Sequence, residues 1–240
     1  MQDVTDLQDE AFEGTTRESL LDVVQERLQK TGKSKLISRL IYVARFIRKE
    51  QSVEAHKTFH SKIIEKHQDG EVSGFLLCYP WCMIHLIEAR TSSLMSILRD
   101  TLNSGQQNHG MVEARVIAST EDIPSRCFEG WHAAFVSSGS HASQMDPVDS
   151  TTIVKDATEV NNFMRKVGPS LLGLSEIELR RKLYALESFF DDVPAPELVL
   201  ALVPAEDAPT LDEYLDIFDV PLSIDLDSEQ VWPMPSHPRI

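Results

Sequence analysis

Apolar positions along this chain follow two periods, one near 3.6 residues and one of 2. TRESLLDVVQERLQK (16–30) sets Leu20, Leu21, Val24 and Leu28 on one helical face before Gly32. KLISRLIYVARFI (35–47) is apolar and β-branched and predicts a buried strand. SVEAHKTFHSKIIEKHQDG (52–70) returns to the helical period at Val53, Phe59, Ile63 and Ile64 and stops at Gly70. EVSGFLLCYPWCMIHLIE (71–88) predicts two strands joined at Tyr79-Pro80. TSSLMSILRDTLNSG (91–105) is a helix with Leu94, Ile97, Leu98 and Leu102 on its face and Gly105 as its stop. Strands follow at 111–120 and 130–138. The order over 35–138 is β-α-β-β-α-β-β. Two helices that must each bury a stripe against one sheet, with right-handed crossovers, give an α+β sandwich of ferredoxin-like topology.

The period stays helical after Ser140. Residues 157–167 repeat Val160, Phe163, Met164 and Val167. Residues 175–190 open with Ser175 and Glu178 in capping-box spacing and carry Leu179, Leu183, Leu186 and Phe190. A tract holding 8 of the 12 prolines then runs from Pro194 to Pro238. Inside it, TLDEYLDIF (210–218) again has the capping-box spacing, at Thr210 and Glu213. One edge of that segment is apolar: Leu211, Tyr214, Leu215 and Phe218.

Charge divides the chain more sharply than hydropathy does. The net charge is −15, and residues 183–240 contribute 13 acids against Arg239 alone. Residues 31–140 are close to neutral, with no dense Lys/Arg face, so nucleic-acid binding has no electrostatic footprint. No apolar run approaches the ~20 residues that span a bilayer, and the acidic start MQDVTDLQDE is not the start of a signal peptide. Three cysteines suit a reducing compartment better than a disulfide framework.

Candidate chemistry concentrates in GFLLCYPWCMIHLIEA (74–89), where Cys78, Cys82 and His85 lie close together. These are metal-ligand residue types, but no second ligand pair stands at zinc-site spacing. Strand alternation also sends Cys82 and His85 to opposite faces of the sheet. Buried cysteines acting as small apolar residues are the simpler reading. No Cys–His pair is local enough to propose a nucleophile, and there is neither a P-loop nor a dinucleotide fingerprint. Gly74, within a strand, implies close backbone packing.

LIYVAR (40–45), VSGFLLCYPWCMIHLIEA (72–89), HGMVEARVI (109–117) and RCFEGWHAAF (126–135) together resemble the BLUF domain of flavin-binding blue-light receptors. Val72-Ser73-Gly74 looks like that family's strand-two motif, Ile87-Glu88-Ala89 like the close of its strand three, and Phe128-Glu129-Gly130-Trp131 like its Phe-x-x-Trp stretch. The resemblance spans about 36–138 and implies which positions would meet a flavin. The family tyrosine falls on Tyr42, its flavin-binding asparagine on His67 and its photoactive glutamine on His85; near Trp131, a family methionine is replaced by Ala133. Glutamine works there because an amide both donates and accepts through distinct ends, which an imidazole does not reproduce. The resemblance therefore implies a fold without its flavin, and no cofactor is expected. YPWCMIHLIE with TSSLMSILRD is also similar to the testis-expressed protein 47 family of sperm and ciliated cells.

Four regions are expected: an acidic segment with a short helix (1–34), a BLUF-like domain (35–140), a helical extension on the sheet (141–190) and an acidic, proline-rich docking tail (191–240). The family likeness implies a non-enzymatic structural or adaptor protein of the cytoskeleton, in the axoneme of cilia or sperm flagella. Leu211, Tyr214, Leu215, Phe218 and Trp232 are the expected docking anchors. The acidic tail implies basic or grooved partner proteins rather than the acidic microtubule face, with neither nucleic acid nor membrane as partner. The alternatives are a BLUF-type flavin light or redox sensor and a small-ligand or metal site built from Tyr42, His67 and His85.

Overall fold

The computed structural model describes residues 20–30, 36–46, 53–67, 71–108, 110–137 and 149–219. Two compact units divide at Leu36 and Ile37. The first contains helix α1 (Leu20–Lys30), which carries a Glu26–Lys30 ion pair at i, i+4. Leu20 and Val23 of that helix are solvent-exposed.

In the second unit, β1 (Ser38–Phe46), α2 (Val53–Lys66), β2 (Ser73–Cys78), β3 (Cys82–Ala89), α3 (Thr91–Asn108), β4 (Met111–Thr120) and β5 (Trp131–Phe135) appear in the predicted order. They build one sheet of order β4-β1-β3-β2-β5. The first four strands pair antiparallel in the ferredoxin-like arrangement, and β5 joins β2 in parallel. The Gly105 stop does not hold: α3 continues to Asn108. A glycine inside a helix costs only ~1 kcal/mol, and the packed face of α3 outweighs it.

Every residue of β2 and β3 is buried, because helices cover both faces. On one face Leu40, Tyr42, Leu76, Met83 and Ile87 meet Phe59, Ile63 and Ile64 of α2 and Leu94, Ile97 and Leu98 of α3. On the other, Ile41, Val43, Phe75, Leu77, Ile84 and Leu86 meet α4 (Ser150–Leu171) through Val160, Phe163, Met164 and Val167. α4 approaches so closely that a Cβ on Gly168 would lie 2.2 Å from the Cys127 carbonyl oxygen. α5 (Glu176–Tyr184) follows with the expected Ser175/Glu178 capping box, then a 3-10 turn at Leu186–Ser188.

The tail expectation needs correction from residue 191 to residue 219. α6 (Pro196–Leu202) was hidden by its prolines, yet Pro196 sits at the first helical position, where its missing N–H costs nothing. Val199, Leu200, Leu202 and Val203 complete the α4 face. α7 (Leu211–Phe218) has the predicted Thr210/Glu213 capping box, but its stripe faces inward. Leu211, Tyr214 and Leu215 are buried in the α2/α3 core rather than presented to a partner. Phe218 is half-exposed and lies against Tyr214, and Trp232 lies outside the described residues.

The tail also closes the β4 edge. Val116 N–H donates to Pro209 O at 2.9 Å, and Arg115 donates to Val203 O at 2.7 Å and to Ala208 O. An edge strand left bare is a template for aggregation, and this segment covers it. The Tyr214 hydroxyl meets Ser119 Oγ at 2.8 Å. Tyr214→Phe is expected to lower the unfolding free energy by about 1 kcal/mol in urea titration; no change would mean that α7 is not seated there in solution. Among the described residues, no helix is long and apolar enough to cross a membrane.

Candidate functional site

The sheet register brings three of the four flavin-equivalent positions together. Tyr42 on β1 stands directly opposite His85 on β3, and Leu76 joins His85 to Ala133, two residues beyond Trp131. Tyr42 Oη lies 2.9 Å from His85 Nδ1, and Trp131 Nε1–H donates to His85 Nε2 at 2.9 Å. An indole nitrogen only donates, so Nε2 must be the bare nitrogen and Nδ1 carries the proton, which it donates to Tyr42. His85 is thus a neutral imidazole with both nitrogens engaged and no solvent exposure.

Burial pushes the His85 pKa down to about 3 and raises the Tyr42 phenol well above its ordinary value. The sign follows directly. The unfolded chain takes up a proton on His85 near pH 6.5, whereas the folded chain resists it. Stability contributed by neutral His85 is complete above about pH 6.5 and falls as pH drops from there toward about 3. Half-buried His132, also shifted down by burial, adds in the same direction. His85→Gln keeps an acceptor for Trp131 and a donor for Tyr42. It is expected to remove up to ~1.4 kcal/mol per pH unit of slope between pH 6.5 and 5, measured by urea unfolding. An unchanged slope would overturn the neutral-histidine assignment.

His67 does not join the trio. Its Nε2 meets Asp100 Oδ2 at 2.9 Å, beside a Lys66–Asp100 ion pair at 2.7 Å. Burial raises the Asp100 carboxyl, but hydrogen bonds from Lys66 and His67 outweigh it and hold the group below its usual range. His60 of α2 takes the place next to His85, with ring centroids 5.0 Å apart, and His56 stacks on Phe46 at 3.9 Å. These two histidines escaped the sequence reading. Their signal in the sequence is positional: 56, 60, 63, 64 and 67 form one 3.6-residue stripe, on which histidine is neither clearly apolar nor clearly polar.

The cysteines separate as alternation requires. Cys78 belongs to the α2/α3 core, whereas Cys82 faces α6, with its Sγ 3.8 Å from Pro196 O. Burial pushes the Cys78 thiol up to about 12 and raises Cys82 as well, so both stay protonated and unreactive. Cys82 and His85 lie on opposite faces and cannot share a ligand.

A larger polar cluster closes the other end of β3. Buried Glu88 accepts from Arg39 Nε at 2.8 Å and Ser73 Oγ at 3.1 Å, and from the N–H groups of Cys127 and Phe128. Arg126 Nη1 donates to Ser73 Oγ and to Glu88 O, each at 2.9 Å, and Arg39 Nη2 donates to Ser125 O at 3.1 Å. The cluster ties the β4–β5 connection to the sheet. With Glu88 fully covered, its role is to hold backbone.

A flavin does not fit this set of residues. Its partner at position 85 would need a free polar end, yet both His85 nitrogens are engaged. Rings surround that imidazole at centroid distances of 5.0 Å (His60), 5.3 Å (Tyr42) and 6.0 Å (Trp131).

Solved structures of BLUF proteins are similar at low identity. Dark-state BlrB is 22% identical over 43% of this chain and 73% of that one, with a TM-score of 0.34. Photo-activated BlsA is 13% identical over 69% of this chain and 96% of its own, again at 0.34. A bacterial light-regulated adenylyl cyclase is 14% identical over 55% of this chain, at 0.35, and the match spans only 35% of the cyclase. TM-scores this low transfer no chemistry. The family match is broader: the family described as testis-expressed protein 47 matches residues 36–220, which takes in the whole sheet, both covering layers and α7. The chain belongs to the testis-expressed protein 47 family.

Proposed function

We propose that this protein is a non-enzymatic structural or adaptor component of the sperm-flagellar or ciliary axoneme, in a radial spoke or a doublet-associated complex. The observation that carries this reading is the closed state of the site at the flavin-equivalent positions: His85 is fully buried and satisfied by Tyr42 and Trp131. A side chain that no substrate can touch supports architecture rather than catalysis. The family's testis-expressed description supports a sperm-related role. The net −12 of residues 183–240 favours partners with basic surfaces. With Leu211, Tyr214 and Leu215 used inside the fold, docking falls to Ile217, Phe218 and the residues after Asp219, Trp232 among them.

Proximity biotinylation with the full chain in spermatogenic or ciliated cells tests this. Axonemal proteins should dominate the labelled set, and the chain should remain with axonemes after detergent extraction. Release into the soluble fraction with no axonemal labelling would overturn it. Deletions aimed at the tail should begin after Asp219, since removal from residue 191 would strip α6 and α7 from the core. Flavin sensing, the other reading the sequence suggests, is disfavoured because Tyr42 and Trp131 already engage both His85 nitrogens. A purified chain lacking flavin absorption would end it.

A further inference from the structure

Among the described residues, a chain segment lies along one edge of the sheet and no strand lies beyond the other. The β4 edge is closed by residues 203–215, whereas β5 ends the sheet with no strand beyond it among the described residues. Gly130 O accepts from Gly74 and Val136 N–H donates to Cys78 O, so the even positions of β5 turn their backbone toward β2. The backbone groups of Trp131, Ala133 and Phe135 therefore point outward. Ala133 and Phe135 line a groove of about 690 Å³ walled by α2 and α5. Tyr184, 91% exposed, stands on its rim.

The chain also contains a segment with the matching pattern. In VPLSIDLD (220–227), Val220, Leu222, Ile224 and Leu226 alternate with polar residues or proline, which is the period of a strand. Leu222 to Leu226 is as long as β5 itself, Trp131–Phe135.

Reach decides whose segment enters. Asp219 is ion-paired to Arg99 of α3, and α3 packs on β3 and β4, hence over β1 between them. The strip outside β5 is four strand spacings away, about 19 Å. Three peptide units from Asp219 to Leu222 span at most ~11 Å. The segment cannot reach its own groove.

We propose that residues 222–226 of a second copy add to the outer edge of β5 as a sixth strand, so that the chain self-associates by tail exchange. Charge permits it at this place. A chain of net −15 repels its copies, but the groove walls balance Lys57 and Arg180 against Glu54 and Glu187. An incoming segment that carries Asp225 has Lys57 and Arg180 as cations on those walls. Main-chain bonding supplies the affinity, and the alternate apolar side chains set the register.

Sedimentation of the full chain across a range of concentrations tests this. A monomer–dimer equilibrium is expected. Ile224→Asp in the tail, Arg180→Glu on exposed α5 and Ala133→Pro, which deletes one outward N–H, should each weaken it roughly tenfold. Arg180→Glu guards against misfolding by Ala133→Pro, and thermal unfolding checks both. A synthetic peptide of residues 220–228 should dissociate the dimer, whereas the same peptide with proline at 224 should not. A dimer indifferent to Ile224→Asp would overturn the proposal. So would a monomer at all concentrations. A monomeric chain whose groove takes up the peptide only after Ile224→Asp would assign the groove to the chain's own tail, also against the proposal.

Discussion

Glu88→Gln is expected to lower the unfolding free energy by about 3–5 kcal/mol, the cost of breaking a buried ion pair by removing one charge. The substitution keeps the shape of the side chain and removes only its charge. Arg39, 7% exposed, is then left with an uncompensated guanidinium. The N–H groups of Cys127 and Phe128 lose an anionic acceptor at the same moment. In a chain of 240 residues this corresponds to a fall in Tm of roughly 10 °C by calorimetry. The double variant Glu88→Leu with Arg39→Met removes both charges and should recover only the part of the loss that comes from the uncompensated guanidinium, because the Cys127 and Phe128 N–H groups still lack their acceptor. A single Glu88→Gln chain within 1 kcal/mol of the parent would show that the pair is solvated.

Gly74→Ala is expected to cost about as much, for a reason of backbone geometry. Gly74 has φ +155, and a Cβ there would lie 2.2 Å from the Leu86 carbonyl oxygen. That oxygen belongs to β3 in the centre of the sheet and cannot retreat without opening the ladder on both sides. Overpacking of this kind costs ~1–3 kcal/mol, and the strained backbone adds ~1–3 kcal/mol. Loss of soluble expression, or a drop of at least 3 kcal/mol in urea unfolding, is the expected result. Gly110→Ala is the control: its φ is +62, but nothing lies within 4 Å of the added Cβ, so it should cost only the backbone term. Equal losses for the two variants would contradict the clash.

Much of this was readable one element at a time. The strand at 111–120 and the capping boxes at Ser175 and Thr210 stand where the sequence predicts them, because each depends on residues a few positions apart. Opposite faces for Cys82 and His85 also followed from alternation, since side-chain direction in a strand is a local property. α6 was not readable, because prolines signal a loop unless one knows that Pro196 falls at the first helical position. His56 and His60 were passed over because histidine is neither clearly polar nor clearly apolar until its neighbours are known.

Local pattern alone settles the order of elements from β1 to β5 and the residue types at Tyr42, His85 and Glu88. Only the tertiary structure decided what those residues do. The stripe of Leu211, Tyr214 and Leu215 is the same whether it meets a partner or its own sheet; packing against α3 and β4 decided that it is core. The neutral state of His85 depends on a donor from Trp131, 46 residues away, and the burial of Glu88 depends on Arg39, 49 residues away. Local pattern is fixed by backbone periodicity, which acts over one or two turns. Protonation, ion pairing and the choice between docking and core depend on groups that only the folded chain brings within hydrogen-bonding distance.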